Sequence, residues 1–239
     1  MVVLILSCEK ISLKLGDLAF ACYIYSHLSD YDESYVRFLE ATSRFPNLSI
    51  AKHRQALLKW LNEWGCRQFA LTYHQHASNE LLSWYNRYTS KIVPRNRTLL
   101  DMTEDELRCA EEAYESLSQR IASYRVVNGR RSAVSFGPTG ASKVLFAIRP
   151  DAFVPWDISI RDRFGVPYGE FLRKARSMLR ELDTACQAHG LRLTDLPNRL
   201  ERPRSTLAKL IDEYCWITIT YNCPPPDAET VKHWSEWSR

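Results

Sequence analysis

Two side chains in the middle of the sequence have the type and setting for chemistry on an electrophilic carbon. Lys143 follows Gly137-Pro-Thr-Gly-Ala-Ser142, a glycine-bounded turn that opens an apolar stretch ending at Ile148. The spacing predicts a tight hairpin over 136–140 and a buried helix from Ala141, with Lys143 in its first turn. There the helix dipole favours a neutral amine, and a neutral amine is a nucleophile. Asp157 follows Pro155-Trp156 and precedes the short run Ile158 to Phe164, closed by Gly165. That is an N-cap position. A carboxylate held there can activate a nucleophile, or stabilise the positive charge that develops on a sugar as its base departs. Each residue also has a plainer reading: Asp157 as a cap alone, Lys143 as a phosphate contact or an ordinary surface lysine.

The turn itself suits a phosphate. Backbone N–H groups at a helix start carry partial positive charge and can grip DNA without reading its sequence. Gly137 and Gly140 lack the Cβ that would hold a phosphate away, and Thr139 and Ser142 complete the expected contact. Arg130, Arg131 and Arg149 are candidate non-specific backbone contacts. Arg161, one turn after Asp157, either pairs with it or meets a phosphate. Chemistry on a base requires the nucleotide to leave the stack and enter a pocket. Trp156 is one candidate wall of that pocket. Trp64, Cys66 and Arg67, where a helix ends, are others, whereas Trp60 reads as core. His74-Gln75-His76 is the only compact metal-like spacing and has no clustered carboxylate or Cys. It reads as a polar linker, so no metal and no organic cofactor is expected.

Gly137-Pro-Thr-Gly-Ala-Ser-Lys143, followed by Val154-Pro-Trp-Asp157 and Arg161, resembles the helix-hairpin-helix DNA glycosylase superfamily in its 8-oxoguanine-glycosylase-like branch. The resemblance covers roughly thirty residues. It implies two helical lobes with the active site in the cleft between them. It also implies that Asp157 is the catalytic carboxylate, that Lys143 forms a Schiff base permitting strand cleavage, and that Gly137 and Gly140 grip phosphate. The chain departs from the family pattern in placing Trp156 where a small apolar residue is usual and Ser159 where many members have His. Its Lys-to-Asp interval of 14 residues is short, and it lacks the C-terminal iron–sulfur cysteines of a sister branch.

These residues need elements to hold them. Helices are expected over 17–27 and 33–44, then from a Ser49 cap to Gly65 with Ala56, Leu57, Trp60, Leu61 and Trp64 as its apolar stripe. Another starts at Ser78. Thr103-Glu-Asp-Glu106 is a capping box opening a helix to about Tyr124. Asn128-Gly129 marks a turn, and long amphipathic helices cover about 169–189 and 205–219. Residues 217–221 are the one modest strand candidate, and a polar tail with Trp234 and Trp237 follows Pro224-Pro-Pro226. The expected architecture is mainly α, a single catalytic module of two helical lobes with the cleft between them. One lobe spans about 46–150, with the helix-hairpin-helix at 126–148; the other combines 1–45 with 151–239.

Composition fits that reading. The chain has 239 residues, 45% hydrophobic and 25% charged, the balance of a globular protein. No apolar run approaches the length of a membrane span. Met1 to Leu6 is apolar, but no basic segment precedes it and no cleavage site follows, so a buried segment is expected. Seven scattered cysteines with no C-x-x-C spacing suit free thiols in a reducing cytoplasm, near the nucleoid in a bacterium. The net charge of +4 is unevenly spread, with 12 Lys/Arg against 4 Asp/Glu over 120–180 and 20 against 24 elsewhere. Such separation implies a positive face for a polyanion.

The sequence therefore predicts a monomer that flips out and excises a damaged or modified base from duplex DNA. The target is an oxidised purine by resemblance; a bulky base with which a virus disguises its DNA is the alternative, and would make this a defence enzyme. Two other classes stay open: a non-catalytic helix-hairpin-helix DNA-binding module, and a helical interaction or regulatory protein.

Overall fold

Helix signals dominate the sequence, and the computed structural model, which describes residues 13–28 and 31–237, is mainly helical. Met1 to Leu6, expected to be buried, lies outside the described residues. The first half holds α1 (Leu15–Leu28), α2 (Tyr31–Ala41), α3 (Ala51–Glu63), α4 (His74–Tyr88) and α5 (Glu104–Gln119). A hairpin of β1 (Ile121–Val127) and β2 (Arg130–Ser135) leads into α6 (Gly137–Ile148) and α7 (Ile158–Phe164). Then come α8 (Tyr168–Ala188), α9 (Leu196–Arg199), α10 (Leu207–Cys215), a π-helical turn (Trp216–Thr220) and α11 (Ala228–Trp237).

Local chemistry sets many of the boundaries. Thr103 accepts from the Glu106 N–H and the Glu106 carboxylate accepts from the Thr103 N–H, the reciprocal box that starts α5. Gly165 ends α7 at φ 61°, a left-handed cap that glycine adopts without strain. Eight of the twelve residues of α6 are buried, as a helix apolar all round requires. It packs on α5 and α3, and α5 packs in turn on α4 and α8. At the other end, α1 and α8 both pack on α10.

Several expectations are corrected. His74 and His76 form the first turn of α4, not a linker, because the His74 imidazole packs back on Phe69 O and Asn62. The α3 cap is Ile50; the Ser49 carbonyl instead accepts from Arg54. The strand expected at 217–221 is a π turn, and the expected polar tail forms α11. The largest correction concerns the helix meant to reach Tyr124. It stops at Gln119, and β-branched and aromatic residues then pair antiparallel across Asn128-Gly129, from Ile121↔Ser135 to Val127↔Arg130. Asn128 and Gly129 have φ of 52° and 74°, the doubly positive turn that matches strand twist. Over 126–148 the chain is thus a β-hairpin followed by a helix, not a helix-hairpin-helix.

Candidate active-site pocket

Asp157 and Lys143 line one pocket of about 430 Å³. Its walls come from Tyr25 and Tyr31, from Trp64 to Cys66 and Gln68, from Thr139 and Lys143, from Trp156 to Ile158 and Ile160, and from Asp212, Trp216 and Thr220. Both stretches expected as lobes contribute to it. Hollows of about 650 Å³ beside Leu15 and about 610 Å³ beside Tyr35 are larger, but neither takes in Asp157 or Lys143. Chemistry, not volume, selects the site.

Asp157 is held at both oxygens. Oδ1 accepts from the Ile160 N–H at 2.9 Å, the expected N-cap, and Oδ2 accepts from Thr220 Oγ1 at 2.7 Å. The π turn supplies that second partner and also brings Trp216 to the pocket. Such turns often sit at functional sites. The backbone just before Asp157 is fixed by Ser142, whose hydroxyl donates to Trp156 O at 3.1 Å and accepts from Trp156 N at 3.2 Å. Ser142 is fully buried, so its expected DNA contact is replaced by this structural clip. Ser142→Ala leaves a buried N–H and carbonyl unpaired and should cost about 1–3 kcal/mol, read from the midpoint of urea unfolding.

Lys143 lies in the second turn of α6, because the helix starts at Gly137 rather than Ala141. The first-turn dipole argument therefore does not apply to it. Its ammonium donates to Trp64 O at 2.5 Å and lies 5.2 Å from the Trp64 ring centroid. That carbonyl is available because α3 has ended and Gly65 turns the chain at φ 79°. Burial pushes the Cys66 thiol up, with the nearby Lys143 charge opposing it, so Cys66 reads as a wall and not a nucleophile.

Of the other sequence candidates, Trp64, Trp156 and Cys66 line the pocket. Trp156 is only 2% exposed, and its indole N–H donates to Tyr114. Trp60 is core, as its spacing predicts. Arg67 is exposed and outside the pocket; Gln68 lines it instead. Gly137 has φ 67° and open space around it, so it serves the backbone turn. Gly140 is buried, and a Cβ there would sit 2.9 Å from Gln68 Nε2 and 3.3 Å from Phe69; its need is packing, not phosphate approach. Arg149 is corrected outright: it is buried and donates to Val93 O at 2.6 Å and Ile148 O at 2.8 Å. Arg161 pairs with Asp162 rather than Asp157. Arg130 and Arg131 stand exposed on the hairpin.

The wall that sequence reasoning missed is α10. Asp212 lines the pocket and pairs with Lys209 at 2.7 Å. Behind it Glu213, fully buried, takes Arg202 through both carboxylate oxygens at 3.1 and 2.8 Å, and Arg202 also meets Asp32. Burial alone would pull the Lys209 ammonium down, but Asp212, Tyr25, Glu213 and Asp32 outweigh it and hold the group protonated. Its ammonium lies 4.1 Å from the Tyr25 ring centroid. The available signal was charge at 209, 212 and 213 on one face of an otherwise apolar helix.

The described residues contain no cluster of three or more metal-type side chains. Nor is any described helix long and apolar enough to cross a membrane. No family model, curated protein or solved structure matches the chain.

Proposed function

We propose that this protein is a DNA glycosylase, acting as a monomer, that draws one modified base from duplex DNA into the pocket beside Asp157 and cleaves its N-glycosidic bond. A single observation carries the reading: a capped carboxylate, a lysine and the rings of Tyr25, Tyr31 and Trp216 share one concavity of about 430 Å³. The rings offer stacking surface to an unstacked base. As the base leaves with its bonding electrons, positive charge builds on the sugar, and Asp157, fixed by Thr220 and Ile160, stabilises it without having to reorganise. Water then adds at the sugar carbon and loses a proton. Where Lys143 attacks instead, the ammonium that donates to Trp64 O must first lose a proton. The amine forms a bond to the sugar carbon as the base leaves, and the sugar ring then opens at its C1′–O4′ bond, the ring oxygen taking a proton, to give a Schiff base that permits strand cleavage. Repair of an oxidised purine and defence against a bulky viral base are the two settings for such a reaction.

The test is a panel of duplexes, each with one oxidised, alkylated or bulky modified base, scored for released base. Release from at least one duplex is expected; release from none would sink the enzymatic reading. Borohydride added to the active duplex should trap a covalent complex that Lys143→Ala abolishes. Base release without trapping would remove Lys143 from the covalent step and leave Asp157-assisted hydrolysis.

A further inference from the structure

The β1–β2 hairpin gathers exposed arginines in a stretch of chain that carries no acid. From Arg120 to Pro150 the sequence has no Asp or Glu. Most structurally engaged arginines meet a carboxylate: Arg120 with Glu80, Arg161 with Asp162, Arg173 and Arg176 with Glu104, Arg202 with Glu213. Among the described residues no such ion pair reaches Arg125, Arg130 or Arg131. The register pairs Arg125 with Ser132 and Val127 with Arg130, which puts Arg125 and Arg130 on one face as diagonal neighbours about 7–8 Å apart. Long side chains rooted at that spacing can bring both guanidiniums to one anion, which offsets their mutual repulsion.

The arm is anchored rather than loose. On its opposite face the Arg131 guanidinium lies 3.9 Å from the Tyr124 ring centroid and 6.0 Å from that of Tyr73, and His76 packs on Tyr124. The root is tied to the pocket by one residue. The Gln68 carbonyl accepts from Ser123 Oγ at 2.6 Å, its side-chain amide donates to Phe136 O at 2.7 Å, and Gln68 itself lines the pocket.

We propose that this hairpin is a duplex-gripping arm, which lays Arg125 and Arg130 on the phosphate backbone to one side of the pocket. The proposal rests on the DNA reading above and extends it to a second, sequence-independent anchor. Six residues of strand from root to tip reach about 20 Å, or about six base-pair steps along a duplex. A duplex bound there would be held at two points, which fixes where a base must leave the stack to enter the pocket.

The experiment titrates an unmodified duplex two helical turns long, from 50 to 200 mM salt, with wild type, R125Q/R130Q and R108Q/R192Q. The last pair removes the same charge from exposed sites off the arm. R125Q/R130Q should bind about tenfold more weakly and lower the slope of log affinity against log salt by about 2, at unchanged melting temperature. R108Q/R192Q should stay within about twofold of wild type. If wild type binds the duplex and R125Q/R130Q matches it in affinity and slope, the arm is overturned and the glycosylase reading stands. If wild type binds no duplex, the DNA reading falls and takes the arm with it. Equal losses in both variants would reduce the arm to bulk charge, and a preference for RNA of the same length would overturn the named occupant.

Discussion

Asp157→Asn is expected to lower single-turnover base release by about 10²- to 10⁴-fold while duplex affinity and melting temperature stay near wild type. The substitution isolates charge from scaffold. An Asn side-chain oxygen still accepts the Ile160 N–H and remains a good cap. The Thr220 hydroxyl, which donates to Oδ2, can rotate to accept from an amide. What disappears is the negative charge facing the pocket. Asp157→Ala adds a second loss, about 1 kcal/mol of cap stability, so comparing the two separates chemistry from folding. An Asn variant that releases base within a few-fold of wild type would leave Asp157 as a helix cap alone.

Glu213→Ala is expected to have the largest effect on stability, about 3–5 kcal/mol, lowering the melting temperature by roughly 10 °C. The Glu213 carboxylate is fully buried, bonded twice to Arg202 and 3.8 Å from the Lys209 ammonium. Its removal takes both hydrogen bonds from one edge of Arg202 and a second carboxylate from Lys209, leaving Asp32 and Asp212 as their remaining partners. Alanine thus leaves buried guanidinium donors without acceptors as well as a cavity. Differential scanning calorimetry of the variant tests this directly, and a loss below about 1 kcal/mol would show that water reaches the network freely.

The legible features were those encoded over a few neighbouring residues. Thr103 with Glu106, Asp157 with Gly165, and the apolar stripe of α3 each specify a boundary by contacts within a turn or two. The β-hairpin was missed because the helix opened at Thr103 was carried on to Tyr124, although Ala122, Tyr124 and Val126 alternate with Ser123 and Arg125 as a strand requires. Asn128-Gly129 still carried the signal, since that pair favours a two-residue hairpin. Gln68 and Thr220 were not legible at all, and Asp212 only as charge on one face of an otherwise apolar helix. Each reaches the pocket from a distant stretch of chain, and the π turn that presents Thr220 shows no local pattern in Trp216 to Thr220. Arg149 misled for the same reason. As a basic residue in an acid-free stretch it looked solvent-facing, yet the carbonyls of Val93 and Ile148 satisfy it inside the protein.

The Ser142 hydroxyl touches both the amide and the carbonyl of Trp156, and Lys143 and Asp157 are the immediate chain neighbours of those two residues. Amine and acid are therefore spaced by a rivet between two strands of backbone, not by the length of the loop that joins them. An extra residue spliced in at Asp151 would first break the turn there, where Leu99 N–H donates to the Asp151 carbonyl and Arg149 O accepts from the Ala152 and Phe153 N–H groups, before it altered the separation that the clip holds. In this protein the distance from lysine to aspartate is set by the clip and not by the count of residues between them.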